Sequence, residues 1–574
     1  MKNIFKTSAL ALVLAGSLAS CDDFLTVDPV DKPVMESYYV TPEALRSSTS
    51  TIYSAKTWSN FHMNFQWKMD MINGDMYYTY GAEGQWFFGT YTPINQYINE
   101  GWKGLYNVIL FCNSIIHDIV PICGGTITEA DKTQALAEAR AIRGYCYYVI
   151  AEVWHDAPIV ENNSETISSG NFDLPRNTQA SIYRFAMDDL DFAVANLQPS
   201  NSDAWRLDVR KARALRAKLG VTMAAHKDYG YDREALYKKA AADALYCIEN
   251  TEALTSIDFA TLFDVDKNNG PESILAIQCG SLGYSYGNGR TTAWSRSDLL
   301  ADEQWGGGKG PTISLQQSYE RNDLRRKWTF MKNGDFYPGL SKANGGYTYK
   351  IVNRMDGQDT PVEDRNEMNA HVKKYIVGKN ADTGGLSGTM QDAANNIYLM
   401  RLADVYLTYV EAVMGTADAT SDATAMKYFN MVRQRAGLSE PSSVTYAELL
   451  KERRCELAFE SQTWFDTQRL RYRSGDQAAL DWVNNGHGTG YNRCTQYIAR
   501  RDMAVDPTNE NQDDSYELVD SKEDYAMYDH ILLSASSFVC PIPAAVSSSS
   551  PSLSGAPVDY FEGAAPDTPD TPAE

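Results

Sequence analysis

The sequence predicts a mainly α-helical protein whose helices pack in antiparallel, tetratricopeptide-like pairs. In residues 209–250 and 397–470, apolar side chains recur every three or four positions, as they do on the buried face of a helix. Small residues alternate with aromatic residues in the same segments, which lets paired helices approach closely. Long Gly- and aromatic-rich stretches separate the helical parts, so we expect a helical scaffold with an irregular, loop-rich face.

Residues 397–470 carry the clearest helical periodicity in the chain. We predict three helices there, at 397–413, 423–437 and 445–470. Gly437 stands where a glycine often caps the end of a helix, because it adopts a left-handed backbone without steric cost.

Two carboxylates in the third predicted helix resemble the acid pair of a glycosidase. Glu456 and Glu460 lie one helical turn apart, close to Arg453. Glycoside hydrolysis needs carboxyl groups that face each other across a cleft, whereas residues one turn apart on a helix face the same way. We therefore interpret both as partners in ion pairs that tie helices together. The chain has no HExxH motif, and its one GxSxG pattern, GYSYG (283–287), lies in a stretch predicted to be loop and not in the strand-to-helix turn of a catalytic serine. We therefore expect no catalytic centre, metal site or cofactor.

Further helices are predicted along the N-terminal half of the chain. The first begins with Thr41 as N-cap and Pro42 in the first helical position, a favourable start. In order, the predicted helices span residues 41–55, 102–119, 129–154, 178–197, 209–226 and 233–250. Residues 70–100, by contrast, are rich in glycine and aromatics and are predicted to form a loop.

The N-terminus has the features of a bacterial lipoprotein signal. Lys2 and Lys6 precede an apolar run at 9–18, which is followed by Leu18-Ala19-Ser20-Cys21. Small residues directly before a cysteine match the lipobox, so we expect cleavage after residue 20 and lipid attachment at Cys21. An ordinary cleaved signal with a chance cysteine is the alternative. We expect no other apolar run long enough to span a bilayer, and therefore a protein that is anchored and not inserted.

These features predict one folded domain with flanking segments. Residues 1–20 are the predicted signal peptide and 21–40 a lipidated tether. A single domain is predicted over 41–563, with its helical scaffold at 41–250 and 396–470 and its loop-rich parts at 251–395 and 471–563. Residues 564–574 form a low-complexity tail.

Charge and composition limit the classes of ligand. The formal net charge is −22, and runs of Lys and Arg are absent, so we expect no nucleic-acid partner. Removing residues 1–20 takes away two lysines and no acid, which makes the mature chain more negative still. This favours a neutral ligand over an anionic one. The 36 Tyr and 11 Trp are numerous, as in proteins that stack rings on ligands.

Several segments of the chain, in order, resemble those of one known family. They are CDDFLTVDP (21–29), AEARAIRGYCYYVIAEVWHDAPIV (137–160), YERNDLRR (319–326), YLMRLADVYLTYVEA (398–412), FNMVRQRAGL (429–438), ERRCELAFESQTWFDTQRL (452–470) and FVCPIP (538–543). Together they resemble the SusD/RagB family of outer-membrane nutrient-uptake lipoproteins of Bacteroidetes. The family's usual Asn-Pro-Gly-Tyr ending is replaced by PVDYFEGAAPDTPDTPAE (557–574), so nothing is carried over to those residues.

The resemblance implies a surface-exposed lipoprotein of the outer membrane that is not an enzyme. It implies capture of an oligo- or polysaccharide and delivery to a SusC-like TonB-dependent transporter, over which the protein closes as a lid. The alternative is a lipoprotein of the same fold that captures peptides or glycopeptides for import. The fold implied is a core of tetratricopeptide-like helix pairs with a loop-rich face.

We expect the glycan on the aromatic loops, since a sugar ring needs a flat apolar surface and a few hydrogen-bonding groups. The predicted stacking residues are Trp86, Tyr284, Trp294 and Trp305, with Tyr286 beside them. They are carried over from the family by position in the loops and not by a matching motif. The predicted polar partners are Asn73, Asp75 and Arg290. Five other tryptophans are predicted to belong to the core: Trp58, Trp102, Trp154, Trp328 and Trp464.

Overall fold

The computed structural model describes most of the predicted domain. It covers residues 35–78, 81–295, 299, 309–332, 334–349, 352–353, 360–361, 370–388, 391–485, 497–499, 516–518 and 533–561. The predicted signal peptide, Cys21, Trp305 and the C-terminal tail lie outside the described residues, as does the predicted tether up to residue 34.

Helices dominate the described part of the chain, as predicted. In the first half they are α1 (Met35–Tyr38), α2 (Pro42–Ser50), α3 (Lys68–Ile72), α4 (Gly81–Phe88), α5 (Gln96–Ser114), α6 (Glu129–Val153), α7 (Asn163–Ser169), α8 (Gln179–Asn196), α9 (Val209–Ala225) and α10 (Arg233–Glu249). In the second half they are α11 (Arg290–Trp294), α12 (Ile313–Ser318), α13 (Arg325–Thr329), α14 (Leu402–Met414), α15 (Ala423–Arg435), α16 (Tyr446–Leu457), α17 (Gln462–Ser474), α18 (Asp476–Asn485) and α19 (Ala544–Ser547).

The described strands are short and pair two by two, always antiparallel. They are β1 (Met76–Tyr77), β2 (Ser273–Ile277), β3 (Gly310–Pro311), β4 (Phe330–Met331), β5 (Phe336–Tyr337), β6 (Tyr347–Thr348), β7 (Val352–Asn353), β8 (Thr360–Pro361), β9 (His371–Val372), β10 (Ile397–Arg401), β11 (Ala419–Thr420), β12 (Val444–Thr445), β13 (Tyr497–Ala499) and β14 (Tyr516–Leu518). The pairs are β1–β3, β2–β10, β4–β9, β5–β6, β7–β8, β11–β12 and β13–β14.

The helices pack as antiparallel neighbours, and small residues lie where they meet. Helix α6 packs on α8, α9 on α10, and α10 on α14. A Cβ atom added at Gly144 of α6 would lie 2.9 Å from the carbonyl oxygen of Ala186 in α8. One added at Gly220 of α9 would lie 3.2 Å from the Cβ of Ala240 in α10. This confirms the prediction of closely packed helix pairs.

Residues 397–470 keep the predicted order, but two of the predicted helix boundaries are wrong. The first helix begins at Leu402, because Ile397–Arg401 pairs as a strand with Ser273–Ile277. The third predicted helix is broken between Leu457 and Gln462. Tertiary contacts override the helical pattern at this break.

The break separates the two acidic residues that the sequence places on one helix. Phe459 and Ser461 both adopt a left-handed backbone, each with φ near 64°. The Ser461 backbone N–H donates to Asp70 Oδ1 at 2.9 Å, and its hydroxyl contacts Asp70 Oδ2 at 3.0 Å. Glu456 therefore lies on α16 and Glu460 in the connection that follows.

The prediction of a loop over residues 70–100 is also wrong. The segment contains the end of α3, strand β1, helix α4 and the start of α5. The glycine-rich stretch folds as α4 because Gly84, Trp86 and Phe87 are buried in the core, which stabilises a helix that local propensity disfavours.

One helical segment of the described chain is long and apolar enough to cross a membrane. It spans Gln96–Ile122, is 27 residues long and has a mean hydropathy of 1.5 in its most apolar window. The expectation that no run after the signal peptide has this length is therefore wrong by length and composition. Within the fold, Leu105, Val108 and Ile109 of this segment belong to the buried core.

A network of buried ion pairs joins the second-half helices to the strands. Arg401 of β10 contacts Glu272 at 2.6 Å, Glu456 at 2.6 Å and Glu460 at 2.7 Å. Arg325 and Arg435 reach Glu456 from α13 and α15, at 3.0 and 2.5 Å. Lys374 contacts Glu460 at 2.8 Å. We call these seven residues the Glu456 network, and they confirm that Glu456 and Glu460 form ion pairs.

The charge around Glu456 fixes its protonation state. Burial alone would raise the pKa of this carboxyl, but the guanidiniums of Arg435, Arg401 and Arg325 together hold its pKa well below the usual range. A second buried chain of pairs lies nearby, in which Arg453 contacts Asp404 at 2.6 Å and Asp466 at 2.8 Å. Charges of both signs are therefore matched inside this part of the core.

Replacing Glu456 by glutamine should destabilise the fold strongly. Removing one member of a buried ion pair leaves its partners uncompensated, and this typically costs about 3–5 kcal/mol. Urea unfolding of Glu456→Gln measures the loss. Glu129→Gln is the matched control, because that side chain is exposed and forms a surface ion pair with Lys132, where the effect should be about 0–1 kcal/mol. Equal unfolding midpoints for Glu456→Gln and wild type would contradict the role of the network.

The loss of unfolding free energy caused by Glu456→Gln should depend on pH. A carboxyl whose folded pKa is lowered stabilises the fold above its unfolded pKa, about 4.3 for glutamate, and loses this contribution as the pH falls. The difference in unfolding free energy between wild type and Glu456→Gln should therefore shrink between pH 6 and pH 3. A difference that stays constant over this range would contradict the lowered pKa.

Candidate functional site

Trp86 is part of the core and not of a ligand-binding surface, which corrects the sequence prediction. Its side chain is fully buried on α4. The indole stacks on Tyr91 with ring centroids 4.5 Å apart, meets Phe65 edge-on at 5.4 Å, and donates from Nε1 to Asn95 Oδ1 at 3.3 Å. The flanking glycines indicated an exposed loop, but Gly81 and Gly84 belong to a helix whose Trp86 and Phe87 are buried.

Trp294 and Arg290 are also buried, so neither presents a free surface to a glycan. The Trp294 ring lies edge-on to Trp67 at 6.1 Å. Arg290 donates from Nη2 to Gln66 Oε1 at 3.0 Å, and its guanidinium lies 5.1 Å from the centre of the Tyr375 ring. Its Nε and Nη1 are buried without a hydrogen-bond partner among the described residues. The prediction of Trp294 and Arg290 as surface contacts is therefore wrong.

The predicted polar partners Asn73 and Asp75 have structural roles instead. Asn73 is buried and donates from Nδ2 to the carbonyl of Met69 at 2.9 Å, closing the end of α3. Asp75 is buried and accepts from Arg454 Nε at 2.6 Å and from the Thr463 hydroxyl at 2.7 Å. Asp75 therefore holds the N-terminal segment against α16 and α17, while Asn73 stabilises the end of α3 itself. Trp305 lies outside the described residues.

Tyr284 is the predicted stacking residue whose ring the structure exposes. Its side chain is 49% exposed, and Tyr286 beside it is 39% exposed. Leu282 in the same turn is 76% exposed. We call Leu282, Tyr284 and Tyr286 the tyrosine surface. Three exposed apolar side chains within five residues are unusual for a surface turn, and such groupings mark binding sites.

Hydrogen bonds hold the turn that carries the tyrosine surface. Gly280 N–H donates to the Tyr286 carbonyl at 2.9 Å, and Tyr286 N–H donates to the Gly283 carbonyl at 3.1 Å. Gly283 N–H donates to Asp392 Oδ2 at 2.7 Å. The rings are therefore displayed on an ordered turn, which limits the entropy lost when a ligand binds.

A close backbone approach fixes the turn to a second segment of the chain. Asn288 N–H donates to the Ala393 carbonyl at 2.7 Å. A Cβ atom added at Gly287 would lie 2.2 Å from the Cα of Asp392, so no other residue fits there. The second segment carries Leu386, whose side chain is 45% exposed.

Lys56 adds a positive charge next to the tyrosine surface. Its ammonium lies 5.3 Å from the centre of the Tyr286 ring. Together the rings, the Tyr hydroxyls and the ammonium offer flat apolar faces with hydrogen-bond donors and acceptors at their edges. This is the combination that a sugar ring requires.

The Gly- and aromatic-rich segment 70–100 and the loop-rich part 251–395 meet at strands β1 and β3. Strand β1 pairs with β3, which brings Tyr78 next to Lys309. The Lys309 ammonium lies 4.1 Å from the Tyr78 ring centre and 3.3 Å from Glu83. Lys68 contacts Glu83 from the other side at 3.0 Å and is fully buried. Tyr78 itself is half-buried, so part of its ring faces solvent.

The charges at this junction compensate each other. Burial lowers the pKa of Lys68, and the Glu83 carboxylate opposes that shift. Burial alone would raise the pKa of Glu83, but Lys68 and Lys309 bring it below its usual value. Lys68, Glu83 and Lys309 thus form a cluster of two ion pairs next to Tyr78. Sequence reasoning missed Lys56, Lys68, Lys309 and Glu83, because single charged residues have no distinctive sequence pattern.

The chain matches two models of known protein families. Residues 263–558, just over half of the sequence, match the model described as the SusD family. The chain belongs to the SusD family. Residues 23–214 match a second model, described as starch-binding and associating with the outer membrane. The expected resemblance and the helical fold are therefore confirmed.

Similar SusD-family proteins are known from several Bacteroidetes. A SusD-like protein of Bacteroides ovatus is 29% identical over 492 residues, which cover 84% of this chain and 86% of that protein. SusD-like protein P2 of Formosa agariphila is 25% identical and covers 80% of this chain and 90% of its own length.

Solved structures of the family superpose over most of the chain. One, a crystal structure with a xylogluco-oligosaccharide, has a TM-score of 0.74 and 26% identity, covering 91% of this chain and 100% of that one. Surface glycan-binding protein A of Bacteroides thetaiotaomicron, in complex with laminarihexaose, has a TM-score of 0.63 and 16% identity, covering 89% and 98%. At that identity the second comparison concerns the fold alone.

Truncating Trp86 should affect stability, whereas truncating Tyr284 should not. Trp86→Ala removes a fully buried indole and should cost about 3–5 kcal/mol of unfolding free energy. Tyr284→Ala changes an exposed side chain and should stay within about 0.5 kcal/mol of wild type. Urea unfolding of the two variants measures both effects. A stable Trp86→Ala protein would contradict the assignment of Trp86 to the core.

Proposed function

We propose that this SusD-family protein captures a neutral oligo- or polysaccharide at the cell surface and delivers it to a SusC-like TonB-dependent transporter. The protein is anchored in the outer membrane through a lipid on Cys21 and closes over the transporter as a lid. It binds the glycan and does not cleave it. The sugar rings stack on Tyr284 and Tyr286.

One observation carries the proposed ligand contact. Tyr284 and Tyr286 are exposed on an ordered turn, whereas Trp86 and Trp294 are buried. The rings of Tyr284 and Tyr286 provide a large, rigid contact area, and little side-chain entropy is lost when they bind a ligand. A solved family member of 26% identity, described as a complex with a xylogluco-oligosaccharide, supports the class of ligand.

The charge distribution supports a neutral glycan. The chain carries a formal net charge of −22, which disfavours an anionic polymer over long range. Lys56 is the cation that lies within 6 Å of the Tyr286 ring. A single ammonium can donate hydrogen bonds to hydroxyl groups without requiring an acidic ligand.

Binding without cleavage fits the state of the carboxylates that most resemble a catalytic pair. The carboxylates of Glu456 and Glu460 are buried and form ion pairs with Arg401, Arg435 and Lys374. A general acid of a glycosidase has to reach the substrate oxygen and exchange a proton with it. These two side chains serve the frame of the protein instead.

Replacing either tyrosine should weaken glycan binding. Native affinity gels that contain xyloglucan, laminarin or starch separate the outcomes, with retarded migration as the sign of binding. Tyr284→Ala and Tyr286→Ala should each weaken retention at least about tenfold, since a central aromatic contact contributes about 2 kcal/mol or more. Phe172→Ala is the matched control, because Phe172 is 60% exposed in a different segment and should leave retention unchanged.

Other outcomes of the same gels would contradict the proposal. Undiminished retention of both tyrosine variants would move the glycan elsewhere on the protein. Release of reducing sugars by the wild-type protein would make it an enzyme. Failure to bind any polysaccharide, together with binding of a tryptic peptide mixture, would favour the alternative of a peptide- or glycopeptide-capturing lipoprotein.

A further inference from the structure

A cavity lies in the loop-rich part of the fold, and the residues that line it lie outside the tyrosine surface. Its volume is about 240 Å³. Three segments of the chain enclose it, at 260–266, 328–342 and 373–383. Trp328 and Tyr337 form an aromatic wall, with their rings edge-to-face at 5.8 Å.

Trp328 is more exposed than the sequence predicts. The other four tryptophans assigned to the core, Trp58, Trp102, Trp154 and Trp464, are all buried. Trp328 is half-buried at the end of α13 and lines the cavity with its indole. The prediction of a core position for Trp328 is therefore wrong, because α13 ends at the edge of the core, where the loops begin.

Lys373 lies at the cavity with most of its hydrogen-bonding capacity unused. Its side chain is buried, and its ammonium lies 5.7 Å from the Trp328 ring centre. It donates to the Ile376 carbonyl at 2.9 Å. Among the described residues, Asp264 is the acid that acts on its charge, without forming an ion pair with it. An ammonium has three donors, and the two that have no partner among the described residues are unfavourable in a buried position.

Asp264 supplies the complementary charge from another side of the cavity. Its half-buried carboxylate lines the cavity and has no side-chain hydrogen bond to the residues described. Burial raises the pKa of Asp264, and Lys373 opposes this shift. Burial lowers the pKa of Lys373, and Asp264 opposes that shift in turn. The two side chains thus influence each other across the cavity without direct contact.

The rim of the cavity is fixed by a single carboxylate. Asp382 accepts from the backbone N–H groups of Ser341 at 3.0 Å, Lys342 at 2.8 Å and Lys379 at 3.0 Å. These bonds tie two loops together at the mouth. A cavity held open in this way needs little reorganisation to admit a ligand.

We propose that this cavity is a second saccharide site, which holds one neutral pyranose residue against Trp328. The C–H face of the ring lies on the indole, while Lys373 donates to sugar hydroxyls and Asp264 accepts from them. The site goes beyond the proposed function, because it shares no residue with the tyrosine surface and stands whether or not that surface binds a glycan.

Size and charge select this ligand class. A volume of about 240 Å³ is below the roughly 300–1,000 Å³ of pockets for drug-sized ligands, so it suits one sugar residue and not a folded oligosaccharide. Five charged residues line the cavity: Asp264, Asp266, Asp382, Lys342 and Lys373. Asp382 is bound by backbone N–H groups and Lys342 donates to the Asp382 carbonyl. Charges of both signs therefore nearly balance, which favours a neutral ligand. A polyol satisfies both Lys373 and Asp264, since each hydroxyl can donate and accept.

Fluorine NMR of protein labelled with 5-fluorotryptophan tests the proposal. The chain has 11 tryptophans, and the Trp328 signal is assigned as the one missing from Trp328→Phe. Glucose, galactose, mannose and xylose are titrated separately to high millimolar concentration. We expect the Trp328 signal to shift saturably with at least one of the four sugars, while the signals of buried Trp58 and Trp464 stay in place.

Variants of the two charged residues make the test specific. Lys373→Met and Asp264→Asn should weaken the sugar-dependent shift at least tenfold while the melting temperature stays near that of wild type. Tyr284→Ala should leave the shift unchanged, which separates this site from the tyrosine surface. The proposal is overturned if none of the four sugars moves the Trp328 signal, or if the shift survives in Lys373→Met and disappears in Tyr284→Ala.

Discussion

The fold depends on the buried contact of Arg401 with three carboxylates. Arg401 lies 2.6–2.7 Å from Glu272, Glu456 and Glu460, which belong to two separate segments of the chain. Buried charges are tolerated only when they are paired and hydrogen-bonded, so this contact fixes the relative positions of its segments. Arg325, Arg435 and Lys374 bind the same glutamates and join two further helices and a loop to this centre. The charged residues of the 397–470 region thus form the frame of the molecule.

The frame positions the loops through one pair of strands. Arg401 ends β10, which pairs with β2, and the turn with Tyr284 and Tyr286 begins a few residues after β2. The segment before β10 carries Asp392 and Ala393, which bind that turn directly. Both sides of the tyrosine surface therefore continue from the strand pair that the network holds. An ordered turn on a rigid support gives aromatic rings fixed positions at an exposed site.

The helices could be predicted closely from the sequence, while several site residues could not. Helices α6, α8, α9 and α10 depend on local periodicity and caps such as Thr128, which are visible in the sequence. The break after Leu457 and the burial of Trp86 depend on distant partners, Asp70 and Phe65, which no local pattern reveals. Trp328 was predicted to be buried but is half-buried, since a helical pattern does not show where the core ends. The exposure of Tyr284 could be predicted, because an aromatic in a Gly- and Ser-rich turn has little apolar surface nearby to bury it.

We propose that the loops meet the ligand and that the helices hold these loops in place. Hydrogen–deuterium exchange with and without a saturating xyloglucan oligosaccharide tests this directly, because exchange reports protection segment by segment. We predict new protection at residues 280–288 and 384–394, with 446–474 unchanged. Protection that appears in 446–474 while 280–288 exchanges as in the free protein would contradict it.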